Sequence, residues 1–211
     1  MLTSDIRAEQ LPEIALDWFK QFQLLQHYLD ALSHVDIASL GPTGTSSEVA
    51  VSHFISSFCK NKEAHYSLFP SYEHALDSLR EGAHNLLIIA NAYDKVDRFY
   101  MSTEITLLYS FIFSTPEYGV AKSPLHEVPV ARRARIATHH APSSLIPWFL
   151  SGLNIDEYEI LTVGSTSQAA ICAQRGEADL CVTNLPAASL YGLDIISRTR
   201  PIRMLWSVFG A

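Results

Sequence analysis

No stretch of this 211-residue chain approaches the roughly 20 consecutive apolar residues that cross a membrane. The first residues, MLTSDIRAEQLPEIALDWF, start polar and acidic. They lack the basic segment followed by an apolar one that marks a secretory leader, so a cytoplasmic location is expected, with no membrane partner. Cysteine is scarce: Cys59, Cys172 and Cys181. An odd number at irregular spacing argues against a disulfide framework, and the three read as reduced, buried, small hydrophobes. Basic charge is also low, with 15 Lys and Arg against 22 Asp and Glu and a formal net charge of −7. Nucleic acid is not expected as a partner, because phosphate binding needs clustered Lys and Arg. The one basic cluster, Arg132-Arg133-Ala134-Arg135, is short and reads as a solvated face. An anionic ligand would have to be drawn in by local dipoles and a few basic groups rather than by the overall field.

What is present is ordinary globular composition, 48% hydrophobic and 18% charged. The length fits one domain or two small lobes. Residues 5–32 repeat apolar side chains at steps of three and four (Leu16, Phe19, Phe22, Leu25, Leu29, Leu32), which predicts an amphipathic helix. It either packs on the body or forms a homodimer contact, and it is set apart as an N-terminal extension over 1–34. From 35 to 211 strands and helices alternate. Strands are expected at 35–40, 86–90, 104–114, 135–138, 158–163, 180–183 and 204–209. Helices are expected at 46–59, 71–81, 145–150, 166–175 and 187–190. That alternation predicts an α/β sheet system. No repeat or low-complexity segment interrupts it.

Four segments carry the chemistry. Gly41-Pro-Thr43-Gly44-Thr45-Ser46-Ser47-Glu48 joins a strand to a helix, and Thr45 with Glu48 has the spacing of a capping box. A helix N-terminus offers free N–H groups and partial positive charge, which suits a carboxylate or phosphate. It is not a Walker loop, because the Lys is missing. Gly164-Ser165-Thr166-Ser167-Gln168 repeats the arrangement with Ser165 and Gln168. Two such sites suggest one ligand with two anionic groups, although each also reads as a plain cap. Thr138-His139-His140 follows a strand and offers one imidazole as hydrogen-bond donor or general acid, or else an exposed loop pair. The spacing is not that of a zinc helix and no ligand set completes it, so no metal is expected. Asn91-Ala-Tyr93-Asp94-Lys-Val-Asp-Arg98-Phe-Tyr100-Met101 leaves a buried strand, where α/β proteins commonly place ligands.

Taken together, these motifs resemble the prephenate dehydratases. Leu40 to Glu48 is similar to their opening motif, Thr138-His139 to their second, and Ser165-Thr-Ser-Gln-Ala-Ala170 to their Ser-Thr-x-x-Ala-Ala. Asn184 to Leu193 matches their late helix and its exit. The likeness runs from about residue 36 to 210. Two departures stand out. Met204, Leu205 and Trp206 occupy the place of a Thr-Arg-Phe signature whose threonine serves the leaving hydroxyl, and Ala90 to Tyr93 replace a Pro-Ile-Glu-Asn segment. The C-terminal regulatory ACT domain is not expected either.

A narrower resemblance is to the prephenate decarboxylases of bacilysin and aeruginosin biosynthesis, carried by Ala92-Tyr-Asp94, Phe99-Tyr-Met101, Ser165 to Ala170 and Trp206-Ser207. It implies a two-lobed α/β fold of the type II periplasmic-binding-protein kind with the substrate in the cleft. It also implies a carboxy-lyase that needs no cofactor and takes prephenate to a dihydro-4-hydroxyphenylpyruvate. The alternatives are a dehydratase giving phenylpyruvate and a non-catalytic anion-binding module. The resemblance and motifs place Thr43 to Ser47, Asn91, Asp94, Arg98, Thr138, Ser165 to Gln168, Asn184 and Met204 to Trp206 on the substrate. His139, His140, Tyr93 and Tyr100 are the candidates for moving a proton, and water is a fifth.

Overall fold

The computed structural model describes residues 13–128 and 133–211. Its driving element is strand β3 (Leu86–Ala90), whose continuously apolar LLIIA sequence demands cover on both faces. It lies at the centre of a five-stranded sheet in the order β2-β1-β3-β10-β4. Strands β1 (Val35–Leu40), β2 (Ala64–Phe69) and β3 run parallel, while the C-terminal β10 (Arg203–Gly210) runs antiparallel between β3 and β4 (Thr106–Ser114). Helices α1 (Glu13–Ala31) and α2 (Ser46–Phe58) cover one face, where Leu25, Leu29, Val51, Phe54 and Trp206 form a core. Helix α3 (Tyr72–Arg80) and the single turn α4 (Asp97–Tyr100) cover the other, with Tyr72, Leu79, Phe99 and Phe209 buried.

A second sheet, ordered β7-β6-β8-β5-β9, builds the other lobe. Its strands are β5 (Tyr118–Lys122), β6 (Ala134–Thr138), β7 (Tyr158–Thr162), β8 (Leu180–Asn184) and β9 (Asp194–Ile195). Helix α5 (Ile146–Leu150) packs on one face, and α6 (Thr166–Gln174) with α7 (Leu185–Leu190) on the other. Pro147 sits in the first turn of α5, where its missing N–H costs nothing. The chain crosses between lobes twice, near residues 115 and 202. There Thr115 N–H donates to Ile202 O (2.9 Å), and Tyr118 and Arg200 exchange backbone bonds (2.9 and 3.0 Å). Two paired segments thus join the lobes.

Three strands escape a pattern-based reading: β2, β5 and the two-residue β9. Strand β2, AHYSLF, is an edge strand with mostly exposed or half-buried side chains and no apolar run to betray it. Strand β5 is five residues long and holds Gly119. The expected strand from 104 begins at Thr106, and the expected helix to 59 ends at Phe58 with Cys59 as its cap.

Helix α1 buries only part of its expected stripe. Leu25 and Leu29 enter the core, whereas Phe19 and Phe22 remain 51% and 37% exposed. Trp18 and Phe22 meet the ring of Tyr109 on β4 edge-on. Residues 5–12 of the expected helix lie outside the described residues, as does Arg132. Arg133 makes an exposed ion pair with Glu157 at 3.0 Å. The three cysteines are free and buried. Among the described residues no helix is long and apolar enough to cross a membrane.

Candidate active site

The end of β1 turns into α2 through Gly44, whose φ of +90° favours glycine. A Cβ there would also stand 3.1 Å from Ala187 Cα in the opposite lobe. Thr45 caps α2: its hydroxyl accepts from Glu48 N–H (3.3 Å) and donates to Leu40 O (3.0 Å). The Glu48 carboxylate returns to Gly44 N–H (2.6 Å), one residue before the position a capping box usually serves. The N–H groups of Ser46 and Ser47 are left with no partner among the described residues.

Helix α6 is built the same way. Ser165 accepts from Gln168 N–H (3.1 Å), and the Gln168 side chain accepts from Gly164 N–H (3.0 Å). Among the described residues the N–H groups of Thr166 and Ser167 are the pair without a partner here. The two termini differ in charge. Glu48 partly offsets the positive end of α2, whereas neutral Gln168 leaves the end of α6 more electropositive.

Both termini open into one cavity of about 140 Å³ between the lobes. Thr45, Ser46 and Ser47 line it from one side, and Ser165, Thr166 and His139 from the other. Met204 and Trp206 of β10 supply an apolar wall, with the ring of Tyr93 beside them. Two tyrosines absent from the sequence-derived candidates complete the lining. Tyr118 Oη lies 2.6 Å from Ser46 Oγ, and Tyr72 Oη lies 2.9 Å from Ser47 Oγ. Burial raises the pKa of both phenols, that of Tyr72 to about 12. Asn184 Nδ2 reaches Ser46 Oγ at 3.3 Å, while its Oδ1 accepts from Ala187 N–H at 2.8 Å. Asn184 therefore supports the cavity from behind.

His139 is held neutral: burial, then the neighbouring His140, brings its pKa down to about 4, against a pull upward from Asp94. Its Nδ1 accepts from Ala141 N–H at 3.4 Å, which assigns the proton to Nε2. The two histidine rings are 4.3 Å apart, and only His139 lines the cavity. Thr138 is fully buried behind them, donating to His139 O at 3.0 Å.

The remaining expected residues divide. The Tyr93 hydroxyl donates to Glu73 (2.7 Å), and burial with that carboxylate raises its pKa far above the ordinary value. Asn91, Tyr100 and Ser207 close a ring of hydrogen bonds (2.9, 2.6 and 2.7 Å) outside the cavity lining. Asn91 Nδ2 donates to Tyr100, Ser207 donates to Asn91 Oδ1, and the Tyr100 proton is committed to Ser207. Arg98 stands apart from the cleft, in a surface groove with Glu73, Asp77, Arg80 and Glu104. Asp94 is exposed and reaches His139 only through its charge. Leu205 points away from Met204 across β10, as strand alternation requires. Thr43 lies at the rim, where its carbonyl accepts from Tyr191 Oη at 3.4 Å. Ser167 is fully buried, and its hydroxyl has no hydrogen-bond partner among the described residues. Among the described residues no group of three or more His, Cys, Asp or Glu side chains is placed to hold a metal ion.

No protein-family model matches the chain. Among solved structures, a prephenate dehydratase from Arthrobacter aurescens superposes with a TM-score of 0.65 at 16% identity. The overlap takes in 83% of this chain and 60% of that one. The periplasmic VFT2 domain of Bordetella pertussis BvgS gives 0.51 at 14% identity, over 88% and 84%. These likenesses establish the fold, a two-lobed α/β arrangement of the periplasmic-binding-protein kind. Sequence comparison goes further: the prephenate decarboxylase of Bacillus subtilis is 34% identical over 186 residues, 86% of this chain and 89% of its relative. The chain belongs to the prephenate decarboxylase family.

Proposed function

We propose that this protein is a carboxy-lyase that decarboxylates prephenate and leaves the ring non-aromatic. The observation that carries this reading is the pairing of two free helix N-termini with an apolar wall made by Met204 and Trp206. Prephenate carries a pyruvyl carboxylate and a ring carboxylate. The pyruvyl group keeps its charge throughout, and the more electropositive end of α6 is its anchor, through the N–H groups of Thr166 and Ser167 and the hydroxyls of Ser165 and Thr166. The ring carboxylate lies against Ser46 and Ser47, beside Met204. The α2 donors orient it while Met204 keeps water from its other side, and a carboxylate shielded from bulk water is closer in energy to carbon dioxide than one in water.

The bond from the ring to its carboxylate breaks, and its electron pair forms a double bond to the adjacent ring carbon. The former double bond hands its electrons to its far carbon, which takes a proton. One proton is consumed and one carbon dioxide released, with no redox change. The bound substrate brings two negative charges beside His139 and raises its pKa, so the imidazole takes up a second proton at Nδ1, giving up the long bond from Ala141 N–H, and delivers the Nε2 proton to the ring carbon. Expulsion of the ring hydroxyl would give an aromatic product and is favourable overall. It needs a proton donor at the oxygen, and Met204 offers none where the dehydratase signature has a threonine.

Incubation with prephenate tests this reading. Carbon dioxide release with a conjugated, non-aromatic diene in the ultraviolet and NMR spectra is the expected result. Phenylpyruvate as the main enzymatic product would refute it.

A further inference from the structure

Ser47 and Tyr72 form a pair whose hydrogens can be placed from their neighbours. The Ala90 N–H is a backbone donor and meets Tyr72 Oη at 3.1 Å. Tyr72 Oη therefore accepts there, and its own hydrogen is free for Ser47 Oγ, 2.9 Å away. Ser47 has no other side-chain partner among the described residues, is buried, and lines the cavity. If Tyr72 donates to Ser47, the Ser47 hydrogen has nothing among the described residues to bond. The one open direction is the cavity, beside the free N–H groups of Ser46 and Ser47. Tyr72 itself is fully buried on α3, so its phenol is held by the core rather than by solvent.

Resting on the reading of the cleft as a prephenate site, we propose that Tyr72 is a positioning residue: the relay Ala90 N–H to Tyr72 to Ser47 makes the Ser47 hydroxyl an obligate donor to a substrate carboxylate. The role is directional. A serine without this relay can turn its hydrogen toward the tyrosine and offer the ligand a lone pair, which repels an anion. With the relay in place the hydroxyl is set as a donor before the substrate arrives, and no reorientation is needed on binding. Ser46 differs, since its contacts with Asn184 and Tyr118 leave the order of its hydrogen open.

A double-mutant cycle read from the Kd of prephenate in rapid-mixing binding traces, which precede turnover, tests the relay. Ser47→Ala is expected to raise Kd about tenfold or more, the loss of one hydrogen bond to a charged group. Tyr72→Phe keeps the ring and is expected to raise Kd by about threefold to tenfold. In the Ser47→Ala background Tyr72→Phe is expected to change Kd by less than about twofold, because the group it orients is gone. Additive effects overturn the inference, as does an unchanged Kd in Ser47→Ala, which remains informative even where Tyr72→Phe folds poorly. A wild-type protein that neither binds nor turns over prephenate overturns the functional reading instead, and this inference with it.

Discussion

Ser46 of α2 and Tyr118 of β5 meet at 2.6 Å, joining the two lobes at the cavity they enclose. With Asn184 on the same serine, they form a polar seam through which the lobes touch. Loss of one buried hydroxyl here leaves partners unsatisfied and loosens the seam. Tyr118→Phe is therefore expected to lower unfolding stability by about 1–2 kcal/mol. KM for prephenate should rise more than kcat falls. Denaturant unfolding together with steady-state kinetics checks both, and wild-type values in the two experiments would dismiss the seam.

The caps make a sharper pair of tests. Thr45→Ala and Ser165→Ala each remove a hydroxyl that holds a helix terminus and lines the cavity, at a cost of about 1 kcal/mol in stability. Each is expected to raise KM, and Ser165→Ala more so, because α6 carries no offsetting carboxylate. Ser167 behaves differently. Its hydroxyl is buried without a partner among the described residues, so Ser167→Ala removes a polar group that they do not satisfy. Stability is expected to stay level or rise, with KM unchanged. A marked loss of stability in Ser167→Ala would mean that the hydroxyl has a partner after all.

What the sequence made visible was local. The two caps are short patterns, Thr45 to Glu48 and Ser165 to Gln168, whose bonds form within a few residues. Tyr72 and Tyr118 were invisible for the opposite reason: their serine partners lie 25 and 72 positions away. Tyr118 also opens β5, whose glycine and brevity hide it as a strand. Arg98 looked suited to a carboxylate because it follows a strand end. The turn α4 carries it instead to a groove with Arg80 and three acidic residues. The separation of Met204 from Leu205 was available in the sequence, because a strand at 204–209 sends alternate side chains to opposite faces.

His139 gives the protein a defined acid sensitivity. Its pKa is about 4 in the folded protein against 6.5 as the ordinary value. Between those values the unfolded chain binds more protons than the folded one, so this contribution is whole above pH 6.5 and fades as pH falls toward 4. His139→Gln removes the titrating group, and its stability relative to wild type is expected to improve as pH drops from 7 to 4.5. Urea unfolding at three pH values measures this, and parallel pH profiles would contradict it. The same substitution is expected to lower kcat by about a hundredfold if the imidazole carries the proton to carbon.

Met204 is the residue on which we propose that the outcome of the reaction turns. It stands on β10 opposite Phe113 of β4, with its side chain on the cavity wall beside Trp206. A threonine there suits a strand, and its hydroxyl would be the polar group that the apolar wall lacks. Met204→Thr is expected to slow decarboxylation about tenfold, because the wall becomes wetter, and to produce phenylpyruvate above the spontaneous background. Leu205 faces the other side of the sheet, so adding Leu205→Arg is expected to change the product ratio no further. Chromatographic separation of the two keto acids after incubation with prephenate reads the ratio directly. No phenylpyruvate from Met204→Thr would remove this position from control of the reaction. A large further gain in the double variant would mean that residue 205 reaches the substrate, against the alternation seen along β10.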